Sequence, residues 1–195
     1  MTLLLAGMFI SCNQKIPGPP PVGFESSYPN VCQTEDGFIM IWTDGDNEIA
    51  MSEFTPDGWS PKKSIISSER FFKNWADLPQ IYYLGGDTLT VSWLEMIDEG
   101  TYDYGIFAAV SFDRGQHWSE PIRPHRDTGK GEHGFLSFFK KLSGELGLIW
   151  LDGRHMGEYN PISHTMGDMA LMTTGLFNNL ELDEEYQLDD RVCEC

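Results

Sequence analysis

Three short stretches of this 195-residue chain carry side chains able to do chemistry on a small polar ligand. The first is Trp150-Leu151-Asp152-Gly153-Arg154-His155, where Arg154 offers a planar guanidinium fork suited to a carboxylate and Asp152 stands two residues before it. The same Asp–Arg pair could equally staple a loop. The second is Asn74-Trp75-Ala76-Asp77-Leu78-Pro79. If burial raises its pKa, Asp77 becomes a general acid; otherwise it caps a turn. Trp75 beside it would offer an aromatic surface to a ligand. The third is Gly131-Glu132-His133-Gly134, where His133 could bind substrate or shuttle protons, or be an exposed loop histidine. The spacing Cys193-x-Cys195 has no further ligands nearby, so no metal is expected. Neither a phosphate-binding loop, a dinucleotide fingerprint, a zincin helix nor a nucleophile elbow is present, and no cofactor is expected.

These stretches occupy matching places in a repeat. Tyr28 to Pro61, Leu78 to Pro121 and Phe135 to Phe177 share one plan of strand, Gly-containing turn, strand ending in Trp, variable loop and strand, closed in the first two by a tight turn and short last strand and in the third only loosely. Trp42, Trp93 and Trp150 recur about every 50–60 residues, as one four-stranded propeller blade plus a loop insertion would require. Alternation such as Leu89, Val91, Trp93 marks half-buried strands. Aromatic residues make up 13% of the chain, with 6 Trp and 12 Phe, which also favours an all-β fold. The strands ending in Trp are expected to be the inner strands, with Asp77 and His133 both at the start of a unit, on one face. The net charge of −17 repels phosphate, so nucleic acid is excluded as a partner.

One segment is more specific. Ser111-x-Asp113-x-Gly115-x-x-Trp118, followed by Ser119-Glu120-Pro121-Ile122, should form a hairpin turn. The Asp carboxylate would accept backbone N–H groups, Gly115 would supply a positive φ, Ser111 would tie the strand to the turn, and Trp118 would pack between sheets. Ser52 with Asp57-Gly58-Trp59 is a degenerate copy. This segment resembles the Asp box of bacterial neuraminidase repeats in the sialidase superfamily. The resemblance implies a sialidase-like β-propeller, six-bladed when complete, with about three blades here (28–70, 71–127 and 128–195). It also implies a glycoside hydrolase acting on terminal acidic sugars of glycans. Family members use three Arg, a Tyr/Glu pair and an Asp acid/base; the Arg-Ile-Pro motif that normally carries the first Arg is absent, and Pro121-Ile122-Arg123-Pro124 is not that motif. The alternative is a non-catalytic propeller that binds a glycan or a protein partner at the cell surface.

The N-terminus adds an expectation about location. Met1 to Ile10 is an apolar run too short to span a bilayer, and Ser11-Cys12 follows it as in a lipoprotein cleavage site. Residues 1–12 are therefore expected to be a signal peptide with Cys12 lipidated, and 13–27, with Pro17-Gly18-Pro19-Pro20-Pro21, a stiff tether. That makes an extracytoplasmic envelope protein touching the membrane only through its anchor, with the remaining blades lying beyond Cys195. Cys32, Cys193 and Cys195 are left without an assigned role. The last two are poorly placed to bridge each other, since alternate strand residues lie roughly 6.5–7 Å apart.

Overall fold

The computed structural model describes residues 18–156, 159–160 and 165–193, and among these there is no helix. The expected lipidation site Cys12 lies outside the described residues. Three antiparallel sheets follow one another along the chain. The first holds β1 (Ser26–Gln33), β2 (Phe38–Asp44), β3 (Glu48–Thr55), β4 (Gly58–Trp59) and β5 (Lys63–Ser67), in the order β1-β2-β3, with β4 and β5 both on β3. The second is β6 (Gln80–Gly85), β7 (Thr88–Met96) and β8 (Tyr104–Ser111), extended by a bridge between Ala108 and Ile122. The third is β9 (His133–Lys140), β10 (Leu146–Asp152), β13 (Met169–Leu176) and β14 (Tyr186–Cys193) in the order β9-β10-β13-β14. A two-residue ribbon, β11 (Tyr159–Asn160) with β12 (Thr165–Met166), interrupts the loop between β10 and β13.

The strand period of two sorts the core into layers. Along β2, Ile39 and Ile41 face the second sheet, where they join Leu89, Val91 and Trp93 of β7. Met40 and Trp42, one residue out of phase, form a separate cluster with Ala50 and Trp59. Along β8, Ala109 belongs to the first interface, while Tyr104, Ile106 and Val110 pack with Leu146, Leu148 and Trp150 of β10. The middle sheet is thus buried on both faces, which is why its strands read as nearly unbroken apolar runs.

The first strands of the three sheets lie side by side. Asn30 of β1 donates to Gln80 Oε1 of β6 (3.2 Å) and accepts from the Ile81 N–H (3.1 Å), and the rings of Tyr82 and Phe138 stand 6.0 Å apart. This corrects one expectation. The Trp-bearing strands β2, β7 and β10 each pair on both sides and are second in their sheets; β1, β6 and β9 are the innermost.

The Ser111–Trp118 turn closes β8 as its residues demand. The Asp113 carboxylate accepts from the Ser111 hydroxyl (2.9 Å) and from the N–H groups of Gln116 (3.0 Å) and His117 (2.8 Å), and it meets His117 Nδ1 at 2.6 Å. Those donors hold its pKa well below the ordinary carboxylate value. Ser111 Oγ accepts in turn from the Gly115 N–H (2.8 Å), and Gly115 has a φ of 74°. Trp118 packs against the core between the first and second sheets. Arg114 reaches across to Glu53 of β3, with Nε 2.9 Å from the carboxylate, so the turn also ties the second sheet to the first.

Candidate functional site

The turn and the candidate residues lie at opposite ends of the sheets. Ser111 pairs with Leu89 at the start of β7, whereas Tyr104 pairs with Met96 at its end, roughly 24 Å away along an eight-residue strand. At this second end, the segments leading into β6 and β9 meet the loops leaving β7 and β10.

Asp77 is the buried carboxyl of this end. It is 7% exposed, and its Oδ2 accepts the backbone N–H of Phe135 in β9 (2.5 Å). Gly134 makes the approach possible: a Cβ there would stand 2.5 Å from Asp77 Oδ2 and 3.3 Å from the Tyr104 ring. Burial pushes the Asp77 pKa up to about 6, assisted by the nearby charge of Glu132 and opposed by the Phe135 N–H. The Tyr104 hydroxyl donates to Glu132 Oε1, and its ring stacks on Phe72 with centroids 4.4 Å apart. Burial, then this donation, raises the Tyr104 pKa. Asp77 lines a narrow cleft between the first and second sheets, with Tyr28, Phe72, Asn74 and Trp93 among its walls. Trp75, two residues from Asp77, is 84% exposed, and Tyr102 on the β7–β8 loop is also exposed.

A second cluster lies behind this one. Asp152 is fully buried and accepts from the Trp150 indole (Oδ2, 2.9 Å), from Arg154 Nε (Oδ1, 2.7 Å) and from Arg154 Nη2 (Oδ2, 2.6 Å). Burial alone would raise its pKa, but the Arg154 donors, the His133 ring and the indole outweigh it and bring the pKa to about 2. Arg154 Nη2 also meets Glu185 Oε1 at 2.7 Å, and bonding to Asp152 raises the guanidinium pKa further. His133, fully buried, has Nε2 3.1 Å from Asp127 Oδ2 and 3.5 Å from Asp152 Oδ1. The His125 ring stacks on it at 4.0 Å with planes 9° apart. His125 Nε2 accepts from the Ile106 N–H (3.2 Å) while Nδ1 lies 2.7 Å from the Asp127 carbonyl, the pattern of a neutral ring protonated at Nδ1. Burial, with the His133 ring beside it, depresses the His125 pKa to about 3.

Three of the sequence candidates are engaged inside the fold, and for Asp152 and Arg154 the pairing is the loop-stapling alternative. His133 and Asp152 are fully buried, so neither touches a ligand as the chain stands; both frame the start of β9. Arg154 has its fork closed on Asp152 and Glu185, because a guanidinium beside two carboxylates at this depth is held by both. Asp77 does line the cleft, and Trp75 is exposed two residues before it. Glu132, Tyr104, His125, Asp127 and Glu185 were not picked out from the sequence. One signal was there to read: a carboxylate follows each blade Trp by two residues, at Asp44, Glu95 and Asp152. In two of the three the indole N–H donates to it, Trp93 to Glu95 (2.8 Å) and Trp150 to Asp152.

The oxygens of Asp127 and Asp152 and a ring nitrogen of His133 lie within 4.8 Å of one another, close enough to surround a cation. The donor set does not fit one. Arg154 already bonds both Asp152 oxygens, Nε to Oδ1 and Nη2 to Oδ2. A metal on Nε2 would also force the ring proton onto Nδ1, which is buried and has no hydrogen-bond partner.

No family model and no curated protein sequence matches the chain. Solved structures do. The endo-arabinase from Bacteroides thetaiotaomicron superposes with a TM-score of 0.54 at 13% identity, over 89% of this chain and 59% of that one. The likeness is one of fold, a β-propeller. The GH93 α-L-arabinofuranosidase of Fusarium graminearum gives a TM-score of 0.53 at 14% identity, over 84% of this propeller chain and 48% of that one. A xylan β-1,4-xylosidase from Bacillus halodurans gives 0.54 at 12% identity, over 91% of this chain and 34% of that one. This propeller chain spans about half the length of the first such structures, 56%, 59% and 48%.

Proposed function

We propose that this chain belongs to a propeller glycoside hydrolase in which Asp77 is the general acid. The observation that supports it is a buried carboxyl with a pKa of about 6, lining a cleft at the end of the sheets where loops converge. A carboxyl that holds its proton up to about pH 6 can deliver it to a glycosidic oxygen as the bond breaks. Burial, and then the negative charge of Glu132, favours the protonated Asp77, and exposed Trp75 offers the sugar a flat apolar face.

The substrate we propose is a neutral glycan. Structural neighbours are named for arabinose- and xylose-containing substrates, and Arg154, the group best suited to a sugar carboxylate, is engaged by Asp152 and Glu185. The finer sialidase reading draws on the Ser111–Trp118 motif and requires Arg154 to be released. Hydrolysis of aryl arabinosides, xylosides and a fluorogenic sialoside by the full-length protein separates the two. Turnover of a neutral glycoside that is lost in Asp77→Asn supports this assignment. No turnover of any of them, together with binding on a glycan array, would favour a non-catalytic glycan-binding propeller, the reading that exposed Trp75 also supports. We further propose that Cys12 is lipidated, which palmitate labelling of cells expressing the protein would test, and that further sheets complete the ring.

A further inference from the structure

The start of β9 is held more firmly than strand pairing requires. Asp152 and His133 are register partners across β10 and β9, and the Gly153 N–H donates to the Glu132 carbonyl at 2.7 Å. Next comes a break in register, across which Phe135 adopts a φ of 54°, in the left-handed region that a bulky residue avoids. Such a conformation persists only where the surroundings over-determine it. Here they do: the His133 ring lies between carboxylates from two different segments, Asp127 ahead of β9 and Asp152 at the end of β10. Asp152 is itself locked by Trp150 and Arg154. The turned backbone aims the Phe135 N–H at Asp77.

We infer that His133 is a positioning residue: clamped by Asp127 and Asp152, it fixes the start of β9 so that the Phe135 N–H and the Asp77 carboxylate meet. The charged and titratable groups around the pair are Glu132 and Tyr104 facing Asp77, and Asp127, Asp152 and His125 facing His133. Arg123 stands on His125, and Arg154 with Glu185 on Asp152. Only the catalytic consequence of this role rests on Asp77 being the acid.

The test is the titration of the Asp77 carboxyl carbon by NMR in the 195-residue chain, wild type against Asp127→Asn and His133→Leu. Loosening the clamp weakens the Phe135 N–H donation, which favours the ionised form. The Asp77 pKa should then rise, by about half a unit to one unit for partial loss of a charge-assisted bond. The sign discriminates. Asp127→Asn removes a negative charge, and a purely electrostatic effect on Asp77 would lower its pKa. A rise in Asp127→Asn, with the chain still folded by circular dichroism, supports the positioning role; a fall or no change overturns it. Should His133→Leu fail to fold, Asp127→Asn decides alone. Absence of turnover by the wild-type protein would sink the glycosidase assignment and leave this result standing.

Discussion

The Oδ2 of Asp77 stands 2.5 Å from the point where a Cβ on Gly134 would lie, so the carboxylate occupies the room that a side chain on β9 would need. The absence of a side chain at one residue lets an acid from the preceding sheet reach the backbone of the next. Gly134→Ala should expel the carboxylate, or force apart Asp77 and the Tyr104 ring. We expect a loss of about 1–3 kcal/mol in urea denaturation, as for other overpacked sites, and a disturbed Asp77 titration. A variant with unchanged stability and unchanged Asp77 pKa would contradict the close approach.

Two buried groups give opposite pH dependences. The Asp77 pKa is raised, so the folded state holds a proton that the unfolded state has released. Stability from this group therefore falls as pH rises from about 4 to about 6, by at most about 3 kcal/mol. The His125 pKa is depressed to about 3, so between about 3 and 6.5 the unfolded state binds the extra proton and stability rises with pH. In the wild type the two slopes oppose each other over pH 4–6. Asp77→Asn should remove the first, increase stability at pH 7, and leave a stability that climbs between pH 4 and 6. Melting temperatures of both proteins across that range check this, and parallel curves would count against it.

Arg154 is bound to two carboxylates in the interior, and its removal would leave Asp152 and Glu185 without their cation. We expect Arg154→Ala to cost about 3–5 kcal/mol, with Arg154→Lys recovering part of it. Lost activity in the alanine variant would then report lost structure. Denaturation measured beside any assay of that variant distinguishes this from loss of ligand binding.

At the far end of the sheets, Gly115 has a φ of 74° and its missing Cβ would lie 2.6 Å from Met51 Sδ. Gly115→Ala should destabilise by about 1–2 kcal/mol. Asp113 contributes stability above the ordinary carboxylate pKa and loses it as pH falls below that value, because its folded pKa is depressed. Asp113→Ala should therefore lower the melting temperature at pH 7 more than at pH 3. Both variants should retain any glycosidase activity once folded, since the turn lies at the opposite end of β8 from Asp77.

What could be read from the sequence alone was local. The Ser111–Trp118 turn is written in adjacent residues whose hydrogen-bonding and φ requirements admit few other conformations, and the structure realises each of them. The recurring strand, turn and Trp pattern likewise announced stacked all-β sheets, because period-two burial depends on near neighbours. Which strand is innermost was not legible, since Trp42, Trp93 and Trp150 are buried as second strands just as an inner strand would bury them. Nor was the fate of Arg154, whose partner Glu185 is supplied by a segment far along the chain. The link from Asp77 to Phe135 depends on a bulge in β9 and on the packing of one sheet against another. Residue types picked out Asp77, His133 and Asp152 as candidates; only the tertiary fold decided that Asp77 lines a cleft while His133 and Asp152 are sealed behind it. Long-range contacts set burial, and burial sets which of several plausible side chains can meet a ligand.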